Sequence, residues 1–160
     1  MRVIYTRGYT LPLGGLIRRV SGVAADHCGL VIAGQVWDVA MLSPVQPRPL
    51  GEWLGMRGRQ VAWDIEAPLQ DEAAGALAVT SREGRGYDYL GAAGIALWAD
   101  LQDPARDYCT ELVCAYAEAA QPGSVADIRG RWCVAKSLSM VTALASRTGG
   151  RISRGALLQA

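Results

Sequence analysis

The chain has a single histidine, only four cysteines, and almost no excess of charge of either sign. Sixteen basic residues stand against fifteen acidic ones, a formal charge of +1, which gives no electrostatic case for nucleic acid or an anionic membrane as partner. The basic pairs Arg18-Arg19 and Arg57 with Arg59 read as solvated surface rather than a phosphate track. Long apolar runs are also missing. The most apolar stretch, Leu90 to Leu97, falls short of the roughly 20 residues a membrane span needs and reads as core, so no integral membrane segment is expected. Met1-Arg2 leads into a mixed segment rather than an apolar signal region, which predicts a protein cytoplasmic as synthesised; export without a cleaved signal would leave no mark here. Cysteines 28, 109, 114 and 133 are too few and too unevenly spaced for the disulfide framework of a small secreted domain, and free thiols are expected. There is no long polar tract and no internal repeat. With 51% apolar and 19% charged residues over 160 positions, the chain is expected to be one globular domain, with a mobile tail from about residue 148.

Arg2 to Thr6 predicts a short strand, and Leu13, Leu16, Ile17 and Val20 recur at helical spacing. His27 to Ile32 and Gln35 to Ala40 flank Ala33-Gly34 and predict a β-hairpin. Pro44, Pro47 and Pro49 argue against regular structure directly after it. Leu50 to Leu54 suggests a helical turn, and Arg59 to Ile65 a further strand with Val61, Trp63 and Ile65 on one face. Helices are expected over Leu69 to Arg82, ended by Gly84-Arg85-Gly86; over Tyr87 to Leu97; and over a segment near Ala135 to Ala145. The strongest helical pattern is Asp107 to Ala120, with Asp107 as its cap, Leu112, Val113 and Tyr116 at core spacing, and Pro122-Gly123 beyond its end. These elements add up to an α+β domain.

Cys109 falls in the first turn of that helix. The positive helix terminus lowers a thiol's pKa, and the unpaired amides there can hold a developing oxyanion. Cys114 lies further in, without that advantage, and Cys28, next to His27 on a strand, should point away from the histidine's face. A cysteine nucleophile usually needs an imidazole as base, and His27 is the only one present. Gly29, on the same strand face, leaves space beside the ring. Asp38 on the return strand becomes the orienting group on one condition. A two-residue turn at Ala33-Gly34 puts it on His27's face, roughly 7–8 Å away diagonally, whereas a three-residue turn puts it on the other.

A histidine opening a hairpin strand, an acid on the next strand and a late, helix-starting Cys109-Thr110-Glu111-Leu112-Val113 together resemble the circularly permuted branch of the NlpC-type papain-like hydrolases. Gly14-Gly15-Leu16-Ile17-Arg18-Arg19, Val36-Trp37-Asp38 and Gly86-Tyr87-Asp88-Tyr89 resemble its YiiX-like bacterial members. The similarity covers about residues 1 to 120, and lecithin:retinol acyltransferase is a distant relative of similar order. The resemblance implies a small antiparallel sheet packed against the cysteine helix. It also implies Cys109 as nucleophile, His27 as base and Asp38 as the group fixing the ring, with Tyr5 or Tyr108 contributing near the oxyanion. The implied activity needs no cofactor: hydrolysis of an amide in cell-wall peptides through an acyl-enzyme, or action on lipid or protein acyl groups. Two features depart from the pattern. Cys28 stands where a small or apolar residue is expected, and no cell-wall-binding module is recognisable.

Other readings stand beside this one. His27, Cys28, Cys109 and Cys114 carry the donor atoms of a zinc site, but their strand and helix spacings diverge. A binding module on the same scaffold would need no chemistry at all. Glu111 reads as a first-turn acid suited to the helix dipole, and Trp53, Trp63 and Trp98 read as core or groove lining. Oligomeric state leaves no signature in the sequence.

Overall fold

A computed structural model describes residues 1–8, 19, 22–56, 60–92, 101, 103–125 and 134–155. Six strands form one antiparallel sheet: β1 (Arg2–Arg7), β2 (His27–Ile32), β3 (Gln35–Ala40), β4 (Ser43–Pro49), β5 (Gln60–Glu66) and β6 (Arg151–Arg154), in the order β4-β3-β2-β1-β5-β6. Helices α1 (Leu50–Gly55), α2 (Glu72–Thr80), α3 (Cys109–Ala120) and α4 (Val134–Thr148) accompany it among the described residues. The fold is α+β, and α3, the helix that opens on Cys109, packs against β2 and β3.

Strand alternation assigns each side chain to a face. Val3, Tyr5, Cys28, Leu30, Val39 and Ile65 join the main core with Leu112, Val113, Tyr116 and Ala117 of α3. Ile4 and Val36 point the other way, where Trp53 of α1 covers them. The buried positions of α3 recur at intervals of three and four, giving one apolar stripe; a fully buried leucine such as Leu112 contributes about 2 kcal/mol. α2 closes on α3 at Gly75, where a Cβ would lie 2.7 Å from Tyr116 Cε1. Glycine is therefore required by the close approach of the two helices.

The predicted hairpin is present, with Ala33 and Gly34 at positive φ of 49° and 79° in a two-residue turn and Ile32 opposite Gln35. Several expectations are corrected. Residues 43–49 form β4 despite three prolines. Pro47 and Pro49 lie opposite Trp37 and Gln35, two apart on the sheet's edge strand, where a missing N–H on the outer side costs no ladder bond, and Pro44 lies beside the irregularity between Asp38 and Ala40. The outer side of β4 is itself covered, as the Val45 amide donates to the Arg85 carbonyl and the Gly84 amide to the Val45 carbonyl, at 2.8 and 2.9 Å.

Val61 does not share a face with Trp63 and Ile65. The pairing shifts between Tyr5↔Trp63 and Thr6↔Val61, and this bulge turns Val61 toward the Trp53 cluster. Within the tail from about 148, residues 151–154 form β6, an edge strand paired with β5. Asp107 does not cap α3: Tyr108 is the N-cap residue, and the Asp107 carboxylate pairs with Arg82 and, at 3.1 Å, with Arg85. Tyr87, expected to start a helix, instead bridges to Asp107, with helix only over residues 89–92 of the described part. Apart from helical Arg19, the helix expected over Leu13–Val20 lies outside the described residues, as do Trp98 and Cys133.

Candidate functional site

His27 occupies the first position of β2, where Thr6 is its β1 partner. Two residues on, Gly29 leaves room above the sheet, and Trp53 fills it, since a Cβ on Gly29 would lie 2.7 Å from the indole and collide with Val36 Cγ1. The space expected beside the imidazole is thus occupied by an aromatic ring, its centroid 6.0 Å from that of His27.

Continuing the hairpin register from Leu30↔Trp37 carries Asp38 opposite Gly29, and Asp38 shares its face with Val36 and Trp53. Its Oδ2 lies 2.9 Å from His27 Nε2 and accepts a 2.7 Å hydrogen bond from Trp53 Nε1. Arg48 Nε stands 3.9 Å from Oδ1. Asp38 is 2% exposed, so these donors replace the water a buried carboxylate loses.

With Nε2 given to Asp38, Nδ1 is the ring nitrogen left for Cys109, and ring and thiol act on each other's protonation. Cys28 is buried in the same core as Cys109, and its side chain and backbone favour the Cys109 thiolate. The Cys28 contact first, then the His27 charge and hydrogen bond, hold the Cys109 thiol well below its ordinary pKa against the opposing effect of burial. Burial would lower His27, but the Cys109 charge and the Asp38 hydrogen bond outweigh it and raise the ring to about 9. The two shifts describe one state, a thiolate beside an imidazolium. Burial, with the adjacent Cys109, pushes Cys28 well above the usual thiol range; Cys114 is likewise pushed up, mainly by burial.

Cys28 does point away from the face that carries Asp38 and Trp53. That other face is the one α3 covers, so the alternation that separates Cys28 from Asp38 delivers it to Cys109. Neither this contact nor the indole on Asp38 was apparent from the sequence. Gly29, a glycine inside a strand, was the only local sign of a close approach.

The two tyrosines lie in different settings. The Tyr5 hydroxyl is fully buried and pairs with Ser137 Oγ of α4 at 2.8 Å. The Tyr108 amide donates to Glu111 Oε2 at 2.8 Å while the Glu111 amide donates back to the Tyr108 carbonyl at 2.9 Å, so Glu111 ties down the turn that presents Cys109. Burial holds the Glu111 carboxyl up at about 8. Tyr87 is a further neighbour: burial and then the Cys109 charge push its phenol upward. On another side of this turn, Asp107 and Glu111 border a cleft of about 760 Å³ that Arg82, Arg85 and Arg106 also line.

A buried thiolate, an imidazolium and a carboxylate in series can attack an electrophilic carbon and pass a proton to a leaving group. Among the described residues no three or more His, Cys, Asp or Glu side chains are gathered to hold a metal ion, so His27, Cys28, Cys109 and Cys114 do not form the four-ligand set. No helix among them is long and apolar enough to cross a membrane. Comparison of the chain with protein-family models, curated proteins and solved structures finds no match.

Proposed function

We propose that the protein is a cysteine hydrolase of the permuted papain-like kind, with Cys109 as nucleophile, His27 as general acid and base, and Asp38 as the group that orients the ring. The observation that carries this reading is the 2.9 Å contact of His27 Nε2 with buried Asp38 Oδ2, with the charge of the same ring holding the Cys109 thiol low. The Cys109 thiolate attacks a substrate carbonyl, and negative charge develops on the carbonyl oxygen. The Cys109 amide, in the first helical turn where no helical carbonyl is available to it, is suited to bind that oxygen. Protonated His27 gives its proton to the leaving amine, and the neutral ring then removes a proton from the water that resolves the acyl-enzyme. Asp38 keeps Nδ1 directed at the sulfur and stabilises the imidazolium, a positioning task comparable to that of the acid in a serine triad.

The substrate class follows from the family resemblance: an amide in peptidoglycan peptides, with lipid or protein acyl groups as the alternative. The test is to incubate the protein with purified peptidoglycan fragments and with a panel of acyl esters, each beside Cys109→Ala. Release of new amino groups from the fragments is the expected result, and loss of the nucleophile should lower turnover by a factor of about 10³ or more. Turnover of the esters alone would assign the acyl alternative. Equal turnover by Cys109→Ala would overturn the mechanism.

A further inference from the structure

Hydrolysis uses one sulfur, and the site holds two. Cys28 is fully buried, is carried by β2 directly beside His27, and shares with Cys109 the core where α3 packs on β2. Cys109 retains 7% of its surface, so a small reagent entering from solvent meets it and not Cys28. Cys114, five residues further along α3, belongs to the same core, but five helical residues rise about 7.5 Å, beyond the reach of a disulfide to Cys109.

We propose that Cys28 and Cys109 form a reversible intrachain disulfide when the protein meets a hydroperoxide, Cys109 being the sulfur oxidised and Cys28 the one that resolves it. In the first step Cys109 sulfur attacks the terminal peroxide oxygen, an S–O bond forms and the O–O bond breaks. The departing hydroxide or alkoxide takes the His27 proton, leaving Cys109 as a sulfenic acid, with sulfur oxidised by two electrons and peroxide reduced by two. In the second step Cys28 sulfur attacks Cys109 sulfur, the S–O bond breaks, and hydroxide leaves as water with the Cys28 proton. The lowered pKa of Cys109 favours the first step. Cys28, slow as a free nucleophile because it stays protonated, relies on contact with its partner for the second. Further oxidation of Cys109 is thereby cut off at a stage that a dithiol reverses.

The experiment treats the full chain with hydrogen peroxide, blocks remaining thiols under denaturing conditions and maps peptides by mass without reduction. Wild type should yield a Cys28–Cys109 linked peptide lacking two hydrogens, lose two free thiols, and regain both with dithiothreitol. Cys114→Ser should behave the same way. Cys28→Ser and Cys28→Ala should yield no link, and dimedone should label Cys109, which stays unlabelled in wild type. Dimedone labelling or sulfinic acid at wild-type Cys109 with Cys28 still alkylatable would overturn the proposal, as would a link from Cys109 to Cys114 or Cys133. The masses are read without any turnover, so this result and that for the hydrolytic reading can fail separately.

Discussion

Trp53 Nε1 donates to Asp38 Oδ2 at 2.7 Å, the same oxygen that faces His27. The indole is fully buried above Gly29, so its N–H has no role in contacting solvent. Trp53→Phe keeps an aromatic ring but removes this donor and part of the ring volume packed over Gly29. It should cost at least about 2 kcal/mol, since the lost bond to a charged acceptor and the void left by the smaller ring add. A urea midpoint shift worth under about 0.5 kcal/mol would show that the bond does little for the fold.

Because His27 is the only histidine, its ring gives one set of imidazole resonances, and its titration can be followed by NMR without assignment work. The wild-type ring should titrate near 9. Asp38→Asn removes a charge and weakens a hydrogen bond that favour the protonated ring, and Cys109→Ser removes the thiolate. Both should therefore move the midpoint down toward 6.5 or below. An unchanged midpoint in Cys109→Ser would mean that thiol and ring are not electrostatically linked.

The paired shifts also set how stability depends on pH. A raised His27 stabilises the fold fully below its ordinary 6.5 and loses that contribution as pH climbs through about 9. A lowered Cys109 does the reverse, contributing fully above its ordinary 9.0 and losing it as pH falls through its lowered folded value. Between 6.5 and 9 the two slopes cancel, because folded and unfolded states each bind one proton at the pair. The stability difference between wild type and Cys109→Ser should therefore be flat from about pH 6.5 to 9 and shrink at lower pH. Denaturant midpoints of both proteins across pH 4 to 9 would reveal it, and a difference peaking sharply within the plateau would contradict the ion pair.

Gly29→Ala places a methyl group against Val36 Cγ1 and 2.7 Å from the Trp53 ring. Relief of that clash displaces the indole and with it the donor on Asp38. A loss of about 1–3 kcal/mol is expected, typical of overpacking, together with a change in tryptophan emission. The same substitution at exposed Gly51, where no atom lies within 4 Å of an added Cβ, is the control and should leave emission unchanged.

The sequence made the hairpin legible because its turn is local: two residues able to take positive φ, flanked by alternating apolar positions, fix a register without help from the rest of the chain. The first turn of α3 was legible for the same reason, and so was the placement of Cys109 in it. β4 was not. Prolines are judged by what a central strand would lose, and the fact that residues 43–49 lie at an edge belongs to the whole sheet. Trp53 was read only as core or groove lining; its partner is fifteen residues away across two turns, and no periodicity connects an indole to a carboxylate. Asp107 was read as a helix cap, since a sequence window cannot see Arg82 and Arg85 arriving from a different element.

Ala33 and Gly34 do more than reverse the chain. The interval of eleven positions from His27 to Asp38 forms a counting device: with a two-residue turn it puts ring and carboxylate on one side of the sheet, and one inserted residue would send the carboxylate to the other. The loop tip is solvent-exposed, so its residues can be exchanged for others that accept positive φ. Its length cannot change.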